Sequence, residues 1–208
     1  MASNYASSQS PPTSRFPVLP DLGLRMIPAV RELWLTDLFV QVPALLTLFH
    51  VLISDPQPLL HTLRIGHTLT VAYLMRATTV LVTSLPDPRP GCQQIQDKFW
   101  STLVLHRCGD CIFSGHTTAL TVCTLYWLVA DVGRARFLRW MVVMCFVGGI
   151  WAILANRAHY TVDILLAVYI VVPLWFAHAH LWNTLIVPQR RFEPLFAHYR
   201  PMRIWPWH

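Results

Sequence analysis

Five long runs of apolar residues, separated by short polar stretches, dominate the chain. A helix needs about 20 predominantly apolar residues to cross a bilayer, whereas a membrane barrel shows alternating strands of about ten residues. The pattern therefore predicts an all-α fold, a polytopic transmembrane helical bundle with about five membrane-spanning helices. The predicted spans are approximately Leu33–Ile53, Gly66–Leu85, Ile112–Ala130, Phe137–Ala155 and Tyr160–Val187.

The composition is that of a membrane protein rather than a soluble domain. Hydrophobic residues make up 54% of the 208 residues and charged residues 12%, while a soluble domain carries about 25% charged residues. The formal net charge is +6, but the basic residues lie mostly between the apolar runs and form no stripe that could follow a nucleic acid. We therefore expect one membrane domain and no nucleic-acid partner.

Three segments of different character follow from this pattern. Residues 1–32 begin with a Ser- and Pro-rich stretch, lack the basic and apolar parts of a secretory signal, and are predicted to be flexible. Residues 33–187 form the predicted transmembrane domain, and residues 188–208 form a basic tail that we expect in the cytosol. Because we see no signal peptide, we expect the first membrane helix to drive insertion.

Positive charges predict which side of the membrane each loop faces. Cytoplasmic loops of membrane proteins carry an excess of Lys and Arg. By this rule the loop with Arg64, the loop with Arg134 and Arg136, and the basic tail face the cytosol. Loops 86–111 and 156–159 then face the lumen or the cell exterior, so the two histidine motifs beside them lie on that side.

The third apolar run begins with Ser114-Gly115-His116. The first turn of a helix has unpaired backbone N–H groups and a positive dipole end, and so favours a phosphate group. Gly115 would allow close approach, Ser114 could cap the helix or donate to a phosphate oxygen, and His116 could protonate a leaving alkoxide. The alternative is an ordinary N-cap followed by a polar residue at the membrane interface. Asp110, just upstream, is expected to cap the helix or to orient a base.

The fifth run begins with His159-Tyr160-Thr161-Val162-Asp163. Residues four apart share one face of a helix, so Asp163 can hold one ring nitrogen of His159 and stabilise the imidazolium. The other nitrogen is then available to attack phosphorus or to remove a proton from a hydroxyl. An aspartate in an apolar membrane helix costs about 2.5 kcal/mol or more on insertion, so it needs a partner. A purely structural His–Asp pair is the alternative.

Arg76 is a further ionisable residue within an apolar run. A buried arginine in a membrane helix faces the bundle interior or extends toward the interface. We consider two roles for it: an ion pair with Asp163 or Asp110, or contact with a lipid phosphate.

The remaining histidines show no spacing typical of a metal site, so we predict no metal and no cofactor. Among the cysteines, Cys92 and Cys108 share one loop and could form a disulfide if that loop is lumenal, with Cys111 as a competing partner.

Four blocks of the sequence resemble the sphingomyelin synthase family. Cys108-Gly109-Asp110, followed after three residues by Ser114-Gly115-His116-Thr117, is similar to that family's first histidine signature, and His159-Tyr160-Thr161-Val162-Asp163-Ile164 is similar to its second. A third block is formed by Arg64, Tyr73, Arg76 and Thr83-Ser84-Leu85-Pro86. The fourth block is Val18-Leu19-Pro20-Asp21. The blocks occur in the family's order.

This resemblance implies an enzyme related to lipid phosphate phosphatases, which moves a phosphoryl headgroup from a glycerophospholipid donor to ceramide. His159 would be the nucleophile or base, Asp163 its orienting group, and His116 the acid for the diacylglycerol leaving group. The residues then assigned to substrate binding are Ser114, Gly115, Arg76, Asp110 and Tyr160. Sphingomyelin synthesis from phosphatidylcholine is the first reaction implied, in the Golgi or plasma membrane with a lumenal or exoplasmic active site.

Differences from the family leave other functions open. The family's first helix is not among the five predicted spans, so an inactive membrane scaffold is one alternative. Relatives that make inositol phosphorylceramide share the histidine blocks, so phosphatidylinositol or phosphatidylethanolamine is an alternative donor. A lipid phosphate phosphatase is a further alternative, although that branch carries an arginine six residues before its second histidine, where this chain has Ile153. The sequence does not decide between a monomer and a homo-oligomer.

Overall fold

The computed structural model describes residues 17–89, 111–130, 136–186 and 202. Within these ranges the regular structure is helical, with no strand. The α-helices there are α1 Leu22–Met26, α2 Leu33–Ile53, α3 Pro58–Val82, α4 Gly115–Val129, α5 Arg136–Ala155 and α6 Thr161–Leu181, and a π-helical turn, Trp182–Ile186, follows α6. The predicted all-α class is confirmed.

Four of these helices, α2, α3, α5 and α6, are long and apolar enough to cross a membrane, and the last span extends to Leu185. Their outward faces expose large apolar side chains such as Phe49, Leu74 and Met144. A helix that is apolar on its outer face as well as its inner face is typical of a membrane span. The chain is therefore a polytopic integral membrane protein.

Two predicted spans have different limits in the structure. α3 begins at Pro58 rather than at Gly66, because proline fits the first helical turn. The polar residues His61 and Arg64 interrupt the apolar pattern there, yet both are buried. α4 replaces the third predicted span, and its 15 residues leave it outside the four helices that are long enough to cross a membrane.

α4 forms the centre of the bundle and packs against α2, α3, α5 and α6. Ten of its 15 residues are buried. The hydroxyls of Thr118, Thr121 and Thr124 donate to carbonyls four residues earlier, at 2.9, 2.7 and 2.8 Å. The hydroxyls of these threonines, of which Thr118 and Thr121 are buried, are therefore satisfied within their own helix. The polar residues of this central helix thus keep their hydrogen bonds.

Both histidine motifs lie at the same end of the bundle, which we call the site end. Here α2, α4 and α6 begin, and α3 and α5 end. The Ser114 N–H, just before α4, donates to the Asp163 carbonyl in the first turn of α6 at 3.3 Å. Asn156, just after α5, donates to the hydroxyl of Thr36 in α2 at 3.0 Å. The structure therefore places both motifs at one end of the bundle, as we predicted.

A polar network around the loop between α2 and α3 closes the opposite end. The Asp55 carboxylate accepts hydrogen bonds from His61 Nδ1 (2.5 Å), the Tyr126 hydroxyl (2.8 Å) and the Gln57 N–H (2.8 Å). Burial alone would raise the pKa of Asp55, but these hydrogen bonds, the His61 bond above all, outweigh burial and lower the pKa. The network fastens α2, α3 and α4 together far from the histidine motifs.

Residues 19–32, which we call the N-terminal strap, pack against the site end. They belong to the segment that we expected to be flexible. Asp21 accepts a hydrogen bond from the Leu24 N–H at 2.9 Å and caps α1. The Val30 N–H donates to the Ala155 carbonyl at 2.8 Å. The strap therefore runs beside the loop that joins α5 to α6.

Several predicted features lie outside the described residues. They are residues 1–16, Asp110, the Cys92–Cys108 disulfide, and the basic tail apart from Met202.

Candidate active site

The first histidine motif forms a tight turn that leads into α4. Phe113 is buried and has a left-handed backbone with φ 72°, a conformation that costs a non-glycine residue about 1–2 kcal/mol. Ser114 follows as the N-cap, and its Oγ accepts a hydrogen bond from the Thr117 N–H at 3.2 Å. The turn thereby brings Gly115 and His116 into the first turn of α4.

α3 supports this turn from the side. Arg76 Nε donates to the Phe113 carbonyl at 2.9 Å, and the Tyr73 hydroxyl donates to the Gly115 carbonyl at 3.3 Å. A Cβ on Gly115 would lie 3.5 Å from Arg76 Nε, so the guanidinium lies directly against the start of α4. Arg76 therefore braces the turn and places a positive charge beside it, and its contact with a lipid phosphate stays a prediction.

The second histidine motif begins α6. Asp163 Oδ2 accepts the Tyr160 N–H at 2.9 Å and lies 3.6 Å from His159 Nδ1. The His159 and Asp163 side chains are 7% and 2% exposed, and Nδ1 makes no hydrogen bond with a described residue. Because catalytic hydrogen bonds are often long before substrate binds, this ion-pair contact has the geometry of a carboxylate that orients an imidazole.

Tyr160, between the two, is fixed by the protein itself. It is 2% exposed, and its hydroxyl donates to the Pro86 carbonyl at 2.7 Å and accepts the Leu19 N–H at 3.4 Å. These contacts hold the loop before α6 in place. The substrate contact that we assigned to Tyr160 stays a prediction.

The two motifs bring their imidazoles together. The ring centroids of His116 and His159 are 6.4 Å apart, with an interplanar angle of 61°. A ring nitrogen reaches a reacting oxygen at about 3 Å, so one phosphoryl group is of the right size to contact both rings. The two motifs, which we predicted on one side of the membrane, therefore bring their rings together at one site.

Asp37, in the first turns of α2, is a candidate residue that we did not predict. Its Oδ1 lies 3.6 Å from Nε2 of His116, with side-chain exposures of 25% and 18%. Each histidine of the site thus has its own carboxylate. A signal was present in the sequence, because an aspartate within an apolar membrane segment is costly and marks a functional position.

The described residues contain no group of three or more His, Cys, Asp or Glu residues that could hold a metal ion. Among the described residues, the polar groups of the site include two imidazoles, two carboxylates, one guanidinium and the first turns of α4 and α6. Such a set is suited to acid–base or nucleophilic chemistry at phosphorus.

Comparison with known proteins shows what this chain is similar to. The family model described as PAP2 superfamily C-terminal matches residues 107–181, a stretch that contains both histidine motifs. The resemblance to the sphingomyelin synthase family is also confirmed, because curated relatives of that kind match well beyond this stretch. This chain is thus related to the sphingomyelin synthases and the ceramide phosphotransferases.

Three relatives show the range of names in this group. "Sphingomyelin synthase-related 1" of Caenorhabditis elegans is 32% identical over 198 residues, which is 83% of this chain and 40% of the relative. "Phosphatidylethanolamine:ceramide ethanolaminephosphotransferase" of Trypanosoma brucei brucei is 32% identical over 120 residues, 51% of this chain and 36% of the relative. "Phosphatidylcholine:ceramide cholinephosphotransferase 1" of Rattus norvegicus is 29% identical over 153 residues, 63% of this chain and 36% of the relative. The chain therefore spans less than half the length of each.

Proposed function

We propose that this chain transfers a phosphoryl headgroup from a glycerophospholipid to the primary hydroxyl of ceramide. The observation that carries the proposal is the 6.4 Å approach of the His116 and His159 rings, each beside its own carboxylate at the start of a helix. Two imidazoles on either side of one phosphoryl group can act as nucleophile and as proton donor in a single transfer.

His159 is the nucleophile in this proposal. Asp163 lies beside Nδ1, so Nε2 is the nitrogen directed to phosphorus. Nε2 forms the P–N bond as the bond from phosphorus to the diacylglycerol oxygen breaks, and the diacylglycerol leaves. In the second step the ceramide oxygen attacks the same phosphorus, the P–N bond breaks, and the imidazole is restored. The Asp163 carboxylate stabilises the positive charge on the ring during both steps.

His116 handles the proton. It protonates the departing diacylglycerol oxygen in the first step and removes the ceramide hydroxyl proton in the second, so protons balance over the cycle. Asp37, at 3.6 Å from its Nε2, orients this ring as Asp163 orients His159. The first turn of α4 supplies partial positive charge for the phosphoryl oxygens, and Arg76 beside it supplies a full positive charge.

Phosphocholine is the headgroup that we expect from the sequence, which would make sphingomyelin and diacylglycerol the products. Phosphoethanolamine is the second candidate, because a relative named for that headgroup is 32% identical over 120 residues. The partners in either case are membrane lipids. We place the site on the lumenal or exoplasmic side, on the basis of the arginines at positions 134 and 136 and in the C-terminal tail. Arg64 no longer supports this orientation, because it is buried within α3 and not in a loop. The Golgi or plasma membrane is the location that the family resemblance implies.

Transfer rather than hydrolysis requires water to be kept from the phosphorylated histidine. His159 is 5% exposed, and the loop before it is enclosed by apolar residues of α4, α5 and α6, among them Leu120, Leu154 and Ile164. A buried nucleophile beside the acyl region of a bilayer favours the hydroxyl of a lipid over water.

The direct test is a transfer assay with the full chain purified into liposomes. Fluorescent ceramide is supplied with phosphatidylcholine, phosphatidylethanolamine or phosphatidylinositol as the single donor. We expect a ceramide product that carries the donor's headgroup, formed fastest from phosphatidylcholine, together with one diacylglycerol for each product. Release of the headgroup phosphate without a ceramide product would replace the proposal with hydrolysis, and no turnover with any donor would favour a scaffold.

Asp37→Asn is expected to lower the rate of transfer at least about tenfold, with little change in folding. The substitution keeps the shape of the side chain but removes the charge that supports the His116 ring. The effect should be smaller than at Asp163, because Asp37 is 25% exposed and Asp163 only 2%, and solvent weakens charge interactions. The measurement is kcat of the purified variant, with Glu32→Gln as the control for loss of an exposed acidic charge nearby. Wild-type kcat in Asp37→Asn would remove Asp37 from the mechanism.

A further inference from the structure

The N-terminal strap contacts the loop of the second histidine motif through one carboxylate. Asp21 Oδ2 accepts the Thr161 N–H at 2.9 Å, and Asp21 Oδ1 accepts the Thr161 hydroxyl at 2.6 Å. Oδ1 also accepts the Leu24 N–H at 2.9 Å. The same side chain therefore caps both α1 and α6, two helices separated by more than half of the chain.

The backbone at the start of α6 depends on two carboxylates. The first N–H groups of a helix have no partner within the helix. Asp163 satisfies the Tyr160 N–H, and Asp21 satisfies the Thr161 N–H. Asp163 is at the same time the partner of His159. Any movement of this first turn therefore moves the His159–Asp163 pair as well.

Further hydrogen bonds join the strap to the end of α5 and to the α5–α6 loop. The Val30 N–H donates to the Ala155 carbonyl at 2.8 Å, and the Glu32 N–H donates to Asn156 Oδ1 at 2.8 Å. Arg157 donates to the Ile27 carbonyl at 3.0 Å. These bonds fix the part of the loop nearest α5, and Asp21 fixes the part nearest His159.

The packing between α1 and α6 is close enough to require a glycine. A Cβ on Gly23 would overlap Thr161 Oγ1 and lie 3.3 Å from Leu154 Cδ1. Asp21 itself is an anion at neutral pH: burial alone would raise its pKa, but the hydrogen bonds from Thr161 and Leu24 outweigh burial and lower the pKa. A charged acceptor makes stronger hydrogen bonds to N–H and O–H donors than a neutral acceptor does.

We infer that Asp21 is a positioning residue, which holds the first turn of α6 so that His159 and Asp163 keep the alignment needed for transfer. The inference rests on the proposed function for its kinetic consequence, but its structural content is independent of it. Asp21 acts through Thr161 and has no role in the bond-making steps. The strap thereby becomes part of the catalytic unit, although it contributes no reacting group.

The test compares Asp21→Ala, Asp21→Asn, Thr161→Val and Thr161→Ser in the full chain. Asp21→Ala removes all three hydrogen bonds, Asp21→Asn removes the charge, Thr161→Val removes one donor, and Thr161→Ser keeps every donor. Glu32→Gln is the matched control, because that side chain is an acid of the same strap that contacts Trp34 at the surface. Each variant is measured for kcat, for KM of both lipids, and for amide hydrogen exchange at Tyr160–Asp163.

We expect Asp21→Ala to lower kcat about tenfold or more, with KM for each lipid within about twofold of wild type. Amide exchange should become faster at the start of α6 and stay unchanged in α3. Asp21→Asn and Thr161→Val should fall between Asp21→Ala and wild type, while Thr161→Ser and Glu32→Gln should equal wild type.

Wild-type kcat or wild-type exchange at Tyr160–Asp163 in Asp21→Ala would overturn the inference. If Asp21→Ala does not fold, Asp21→Asn and Thr161→Val decide in the same way. An increase in exchange that is equal throughout the chain would also overturn it, since that result indicates a general loss of stability. If the wild-type chain transfers no headgroup, the proposed function fails, and the exchange measurement alone still decides whether Asp21 holds α6.

Discussion

Replacing His159 with alanine is expected to lower ceramide transfer at least about a thousandfold. In the proposed reaction the imidazole forms the bond to phosphorus, and a water molecule in its place would lead to hydrolysis rather than transfer. His159 Nδ1 makes no hydrogen bond with a described residue, so the substitution breaks no hydrogen bond of that atom and the variant should express and fold. The measurement is kcat with fluorescent ceramide under saturating donor.

His180→Ala is the matched control for that experiment, because His180 is an exposed histidine of the same helix at the opposite end. It should keep wild-type kcat. A second readout uses a donor with a radiolabelled headgroup and no ceramide: the wild-type chain should acquire acid-labile label, and His159→Ala should not. Transfer by His159→Ala within tenfold of wild type would show that this residue is not the nucleophile.

Asp163→Asn is expected to lower kcat about 10³- to 10⁴-fold while the protein stays folded. The asparagine oxygen can still accept the Tyr160 N–H that Asp163 accepts at 2.9 Å, so the helix keeps its cap. The neutral amide cannot stabilise a positive imidazole 3.6 Å away. The substitution therefore separates the electrostatic role of this residue from its structural role. The measurement of kcat reports the electrostatic role, and the unfolding temperature reports the structural role.

Asp55→Asn provides the corresponding control at the other end of the bundle. Asp55 also pairs with a histidine, His61, at 2.5 Å, but it lies in the loop between α2 and α3. We expect this variant to unfold at a lower temperature and to keep kcat near wild type. If Asp163→Asn transfers at more than a tenth of the wild-type rate, the carboxylate serves only the fold.

The histidine motifs could be predicted from the sequence because their chemistry is local. Ser114 before an apolar run signals a helix start, and the spacing of His159 and Asp163 places both on one face of a helix. The approach of the two rings could be expected only through topology: both runs had to enter the membrane from the same side. Positive charges in the loops supplied that information.

Asp37 and Asp21 were harder to assign because their partners are distant in sequence. His116 and Asp37 meet only because α2 and α4 pack together, and no periodicity in one helix reveals a contact between two helices. Asp21 follows a Ser- and Pro-rich stretch whose composition is typical of disorder, and its hydrogen bonds to Thr161 join positions 140 residues apart in the sequence. The sequence pattern also did not predict that α3 begins at Pro58. His61 and Arg64 are polar, and only tertiary contacts bury them.

The shortness of α4 has a consequence for how lipids would reach the proposed site. Its 15 residues extend about 22 Å, less than the roughly 30 Å of bilayer hydrocarbon. Its far end is level with the α2–α3 loop, since Tyr126 bonds Asp55 there. At the other end α3 continues past Arg76 through residues 77–82, about 9 Å further along the helix axis. For the proposed transfer we therefore expect the phosphoryl group to react below the level at which α3 ends, with ceramide entering from the side while its acyl chains stay in the leaflet.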